Sequence, residues 1–179
     1  MQQNWHWQMV RVGFLLAALT VITPQRATAA EATPSPENKA MFSEKEVAYI
    51  KSQRLARIAT VSKKQQPDVA PVSFEFDGMY FYVGGRNNPA TMKYRNVARG
   101  NGRVAIVFDD WESLTPWKPR SIKIHGTAEL VKRTGQLGEG EYLRITPVVK
   151  WSMGVDEPAF QNGKPVIKRV KNKSPKVNP

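Results

Sequence analysis

The sequence contains no cysteine, so it has no disulfide framework, thiol nucleophile or thiolate metal site. Its two histidines, His6 and His125, are far apart and in no ligand spacing, so no metal site is expected. Acidic residues are scarce, 15 against 27 Lys plus Arg. None occurs before Glu31 or after Glu157. The apolar run Val12–Ile22 has 11 residues, too short to cross a bilayer, so no membrane span is expected in the mature chain.

That run has the length of a signal-peptide core, and the small residues Ala27–Ala30 behind it suit cleavage. Residues 1–30 are therefore read as a signal peptide and 31–40 as a polar linker. The expectation is export if the leader operates, and the cytoplasm if translation starts at Met41. Excess positive charge suggests an anionic partner, but it is unevenly spread. Setting aside Arg11, Arg26 and six basic residues after Glu157 leaves 19 basic against 15 acidic. Residues 161–179 are read as a flexible basic tail. They contain no aromatic residue to stack on bases, which ranks nucleic-acid binding last.

The folded part is expected over 41–160. Ser43-Glu44-Lys45-Glu46 is a capping box opening a helix to about Gln53. Strands follow at 55–61 and 69–76, the second holding Pro71, which has no N–H for a ladder and implies a bulge or an edge. Asp77-Gly78 joins it by a hairpin to a strand in which Met79, Phe81 and Val83 alternate with Tyr80 and Tyr82. Gly84-Gly85 and Asn87-Asn88 end that strand. Asn88 as N-cap and Pro89 at the first helical position then open a short helix that Gly100 or Asn101 stops. Free N–H groups at such a start can hold a phosphate, with Lys93 close by; a capped connecting helix with a solvated lysine explains the same residues.

Strands are expected next at 103–108 and 121–130, separated by a loop over 109–120. His125 falls on the outer face of the second and is given no role. Gly135, Gly138 and Gly140 loosen the following connection. Residues 142–146 and 148–151 form a last strand pair, or one strand broken at Pro147. Five or six strands, few helices and short turns indicate a small β-barrel.

The set Met41-Phe42-Ser43, residues 52–61, Pro71-Val72, Lys93-Tyr94-Arg95-Asn96-Val97, Asp109-Asp110, Pro116-Trp117, residues 126–129 and Arg144-Ile145-Thr146-Pro147 with Trp151 resembles a known superfamily. It is the split-barrel flavin-binding superfamily of pyridoxamine 5′-phosphate oxidase, most closely its branch of deazaflavin coenzyme F-420-dependent oxidoreductases. The resemblance spans about 41–156.

The resemblance implies a mainly β, six-stranded split β-barrel with short helices, and a homodimer holding its coenzyme in the groove between subunits. Pro71, Val72 and Ser73 would lie along the coenzyme ring, with Tyr82 and Val83 nearby. Lys93 matches the lysine that holds the coenzyme phosphate. Trp117 and Trp151 would approach the ring, from the second subunit if not the first. Arg95 points about 200° from Lys93 on a regular helix, so both serve one phosphate only if the helix is distorted. No catalytic residue is implied, because family members pass hydride between ring and a small-molecule substrate, often without a dedicated acid or base.

The Arg-rich carboxy-terminal signature of true pyridoxamine phosphate oxidases is missing, so vitamin B6 oxidation is not expected. A cytosolic deazaflavin reaches an exported protein most easily through a twin-arginine signal, and none is present. Three readings follow: an F-420-dependent reductase, the same chemistry with FMN, or a non-catalytic binder of flavin or tetrapyrrole in the barrel groove.

Overall fold

The computed structural model describes residues 41–172; the expected leader, linker and last residues of the tail lie outside them. Helix α1 spans Glu44–Ser52, and both halves of its capping box are present. Ser43 Oγ accepts from the Glu46 amide at 3.1 Å, and Glu46 Oε2 accepts from the Ser43 amide at 2.8 Å. The strands are β1 Ala56–Val61, β2 Pro67–Val72, β3 Glu75–Phe76, β4 Phe81–Val83, β5 Arg103–Leu114, β6 Trp117–Gly135, β7 Gly138–Met153, β8 Phe160–Gln161, β9 Lys164–Pro165 and β10 Lys168–Lys171. Helix α2, Met92–Ala98, follows a single 3-10 turn at Asn88–Ala90.

Hydrogen-bonded neighbours run in the order β2-β1-β5-β6-β7-β4-β3. Strands β2 and β3 stand at opposite ends of that path, yet only Ser73 and Phe74 separate them in sequence. The sheet therefore curls until its two edges return to one bent segment. Counting that segment once gives six strands, a barrel split where its ladder is interrupted. Pro71 sits on the strand at the end of the path, where a missing N–H is tolerated.

Alternation builds the interior. Ile58, Ile106, Phe108, Ile122, Ile124, Leu143 and Ile145 are all within 1% of complete burial. Phe81 stacks on Phe76 at 4.4 Å between centroids and meets Phe42, Phe74 and Phe108 as well. Asp77 Oδ1 accepts from the amides of Met79 and Tyr80, while Gly78 takes φ +98°, which closes the expected hairpin.

Several elements differ from the sequence reading. Residues 109–120 are not a loop. Strands β5 and β6 continue past the barrel as a ribbon that turns at Thr115-Pro116, a cis peptide. Clustered acids and prolines masked the strand; the ladder instead shifts register between Trp111 and Ser113, beside Pro119, which pairs with Trp111. Residues 138–153 are one strand, because β7 absorbs Pro147 in a bulge. His125 pairs with Val149 and Gly126 with Pro147, leaving Val148 extra. A Cβ at Gly126 would lie 2.5 Å from the Thr146 carbonyl, so only glycine fits the bulge.

The carboxy-terminal segment holds structure as far as Asn172. A β8–β9 hairpin is followed by β10, which pairs antiparallel with β7 over Lys168–Lys171. Apolar content is low here, and backbone hydrogen bonds to an open edge of β7 order the chain instead. Strand β7 thus carries β4 on residues 143–145 and β10 on residues 149–152 of the same edge.

Candidate functional site

Helix α2 starts at Met92, and its cap is Thr91, whose Oγ1 accepts from the Tyr94 amide. The sequence reading had placed the cap at Asn88. Asn88 is buried instead and donates through Nδ2 to the Glu141 carbonyl at 2.9 Å, so its side chain ties the loop to β7. Lys93, Asn96 and Val97, spaced by three and one, form the buried stripe of α2. Asn96 Nδ2 donates to Thr60 Oγ1 at 2.9 Å, fixing the helix on β1.

This docking buries Lys93 to 8% exposure. Its ammonium has no hydrogen bond or ion pair among the described residues. Burial lowers its pKa, and the nearest opposing influence is the Asp68 carboxylate on β2. A desolvated, unpaired lysine is an unusual element of a small domain. Arg95 is exposed on another face, and among the described residues its side chain donates only to Met92 Sδ, at 3.3 Å.

Pro71 and Ser73 are exposed, while Val72 between them points into the core. From Asp68 to Pro71 is about 10 Å along β2. Lys93 thus lies by β2 on the side of Asp68 and Val72, while Pro71 and Ser73 leave the opposite side of the same end strand. Val83 is fully buried, so only its backbone faces any groove. Tyr82 lies on the opposite side of β4, its phenol bonded to Asp77 Oδ2 at 3.0 Å and its ring 4.0 Å from the Arg133 guanidinium carbon. Burial and the Asp77 carboxylate push its pKa to about 12, so it remains a neutral donor. Ser73 and Tyr82 share one small crevice beside Glu75 and Tyr142. An open cleft of about 500 Å³ lies at the split, between Ser73–Phe76 and the end of α1 at Lys51–Arg54.

Trp117 and Trp151 do not join this group within one chain. Register places Pro71, Arg57, Val107, Lys123 and Trp151 in one cross-strand row. Pro71 and Trp151 are thus four strand spacings apart, about 19 Å along the sheet. Trp117 lies six residues before Lys123 on β6, about 20 Å farther along the ribbon. It is exposed, packs on Phe160 at 5.5 Å and borders an open cleft of about 430 Å³ with Pro116, Pro119 and Val155.

Two arrangements went unseen in the sequence. Arg120 grips Asp110 with Nε–Oδ1 2.9 Å and Nη2–Oδ2 2.8 Å, and Gln53 and Tyr49 bond the same carboxylate. The pairing of Asp110 with Arg120 would have been visible had the 109–120 ribbon been recognised. The second surrounds Trp151, with Lys123 Nζ at 4.6 Å, Arg169 Cζ at 5.7 Å and the His125 ring at 4.7 Å from the indole centroid. Lys123 and His125 carried a signal, shared alternation on the outer face of β6. Arg169 carried none, since nothing in its segment marks a strand.

A profile described as pyridoxamine 5′-phosphate oxidase matches residues 42–159, about two thirds of the chain. The chain belongs to the pyridoxamine 5′-phosphate oxidase family. Among curated members, a 5a,11a-dehydrotetracycline/5a,11a-dehydrooxytetracycline reductase of Streptomyces rimosus is 37% identical over 123 residues, covering 64% of this chain and 86% of that one. Two solved structures have a fold similar to that of this chain. Group A Streptococcus HupZ is 22% identical over 67% of this chain and 100% of its own, with TM-score 0.52. A Clostridium acetobutylicum protein related to general stress protein 26 is 13% identical over 70% and 90%, with TM-score 0.51. Among the described residues no helix is long and apolar enough to cross a membrane, and no three His, Asp or Glu side chains cluster as a metal site.

Proposed function

We propose that this chain is an oxidoreductase that binds a flavin-type coenzyme, deazaflavin F-420 with FMN as the alternative, and reduces a small organic molecule. Membership of the pyridoxamine 5′-phosphate oxidase family and the likeness to a dehydrotetracycline reductase support the reaction class. The observation that carries the coenzyme is Lys93, a residue only 8% exposed whose ammonium has no hydrogen bond or ion pair among the described residues, on the helix beside the exposed edge of β2. A coenzyme phosphate placed there gains a charge-assisted hydrogen bond and relieves the desolvation of the lysine.

The remaining residues fit a coenzyme along that edge. Pro71 presents a flat apolar ring without an N–H, and Ser73 adds a hydroxyl beyond it. Tyr82 keeps its proton and can donate but not abstract. When bound, the coenzyme supplies the hydride; the chain orients the two reactants and names no acid or base of its own. Trp151, too distant from Pro71 in one chain, meets the ring from a second copy, so the working unit is a homodimer.

The test is spectroscopic. Purified full-length chain is incubated with F-420 or FMN, freed of excess by gel filtration, and its absorbance recorded. A retained deazaflavin or flavin band supports this reading, and retained reduced coenzyme should be reoxidised by an electron-poor unsaturated substrate. A Soret band in its place, or retention of neither coenzyme, contradicts it.

A further inference from the structure

We propose that Trp151 and its cationic neighbours form a binding site for a conjugated organic anion, the substrate class of this protein. The inference rests on the oxidoreductase reading for the word substrate, though not for binding. Lys123, Trp151 and Arg169 occupy one row on three adjacent strands, β6, β7 and β10, so their side chains leave the sheet on the same face. The two cations flank one indole at 4.6 and 5.7 Å, and His125, two residues along β6, meets it edge-on at 4.7 Å.

Charge decides which molecule fits. Glu129, Asp109, Asp110, Glu112 and Asp156 are paired with Arg144, Arg57, Arg120, Lys118 and Lys168, and the remaining carboxylates of β7, Glu139 and Glu141, lie twelve and ten residues before Trp151 on that strand. Among the described residues neither Lys123 nor Arg169 has a carboxylate partner. Two unneutralised cations held against an aromatic wall favour a planar anion whose charge is delocalised over oxygens, such as an enolate or an aromatic carboxylate. Its oxygens interact with Lys123 and Arg169, and its ring finds the edge of Trp151 and His125. A neutral ring would forgo the charge interactions, and a cation would be repelled. Strand β10 supplies Arg169, so the carboxy-terminal segment completes this site.

Anthraquinone-2-carboxylate and neutral 2-methylanthraquinone serve as probes, titrated into the full-length chain by calorimetry. The anion should bind at least tenfold more tightly than the neutral ring. The double variant Lys123→Gln/Arg169→Gln should weaken the anion roughly tenfold while leaving the neutral ring unchanged. Lys123→Arg/Arg169→Lys should restore it. Both positions are exposed, so circular dichroism and Tm of the variants should match the wild type. FMN affinity should also be unchanged in the Gln variant. Equal affinity for the two probes, or wild-type affinity for the anion in the Gln variant, overturns the proposal. A parallel loss of FMN would assign the cluster to the coenzyme and overturn it too. If the chain binds neither coenzyme but keeps this charge-dependent probe binding, the oxidoreductase reading fails and the site stands.

Discussion

Pro71 and Trp151 lie on one cross-strand row with Arg57, Val107 and Lys123 between them. Both side chains leave the outer face of a curled sheet, with about 19 Å of sheet between them, so a coenzyme ring on Pro71 is out of reach of Trp151 in the same chain. In the proposed homodimer a second copy would bring its own Trp151 over the ring. Light scattering at micromolar concentration should give twice the chain mass. A strict monomer that binds coenzyme normally would contradict this geometry.

The Asp110–Arg120 pair should govern acid stability. The bidentate bonds from Arg120 hold the Asp110 carboxyl below its usual range, against a smaller opposing effect of burial. Its folded pKa is depressed, so its contribution is present above the unfolded value of about 3.9 and is lost as pH falls through the folded one. Arg120→Ala should lower stability by about 1–2 kcal/mol at pH 7, allowing for partial exposure. The gap to wild type in urea midpoint should narrow as pH falls below the unfolded value of about 3.9.

Lys150 and Glu46 form an ion pair that is almost wholly buried. Burial lowers the pKa of Lys150, and the Glu46 carboxylate opposes that shift. Lys150→Ala leaves Glu46 buried and unpaired, and should destabilise by about 3–5 kcal/mol. Glu46→Leu/Lys150→Met should recover most of that loss, read from urea midpoints.

Residues 168–171 form the strand β10, so truncation after Gln161 should not be silent. It removes the β10–β7 ladder and the Lys168–Asp156 bond of 2.9 Å. A loss of about 1–3 kcal/mol, or several degrees in Tm, is expected. An unchanged Tm would show that β10 adds nothing.

Where the sequence was legible, a local rule and the tertiary fold agreed. Ser43 and Glu46 sit three apart and make both capping bonds; Phe81 and Val83 alternate with Tyr80 and Tyr82 and fill the core. Pro71 announced an edge because its ring removes a ladder donor. Elsewhere the deciding interaction was distant. Asn88 looks like a cap from its neighbours, but the Glu141 carbonyl, 53 residues away, claims its amide. Thr91, a weaker cap candidate beside two prominent asparagines, took the position. Val83 was grouped with the coenzyme although its alternation already assigned it to the interior. Arg169 depends on an open edge of β7 that no local pattern encodes. Lys93 was marked by its place near a helix start and by the resemblance, but its burial was not legible locally, because the bond between Asn96 and Thr60 fixes that face of the helix on β1.

Calorimetric titration of wild type, Lys93→Ala and Arg95→Ala with F-420 and with FMN, at low and high salt, tests the coenzyme site directly. The wild type should bind at least one of them. Lys93→Ala should weaken that binding by about 1.5–3 kcal/mol, or roughly 10- to 150-fold, and the loss should shrink as salt rises. Arg95→Ala should bind nearly as the wild type does. Wild-type affinity in Lys93→Ala with a large loss in Arg95→Ala, or no binding of either coenzyme by the wild type, would contradict the account.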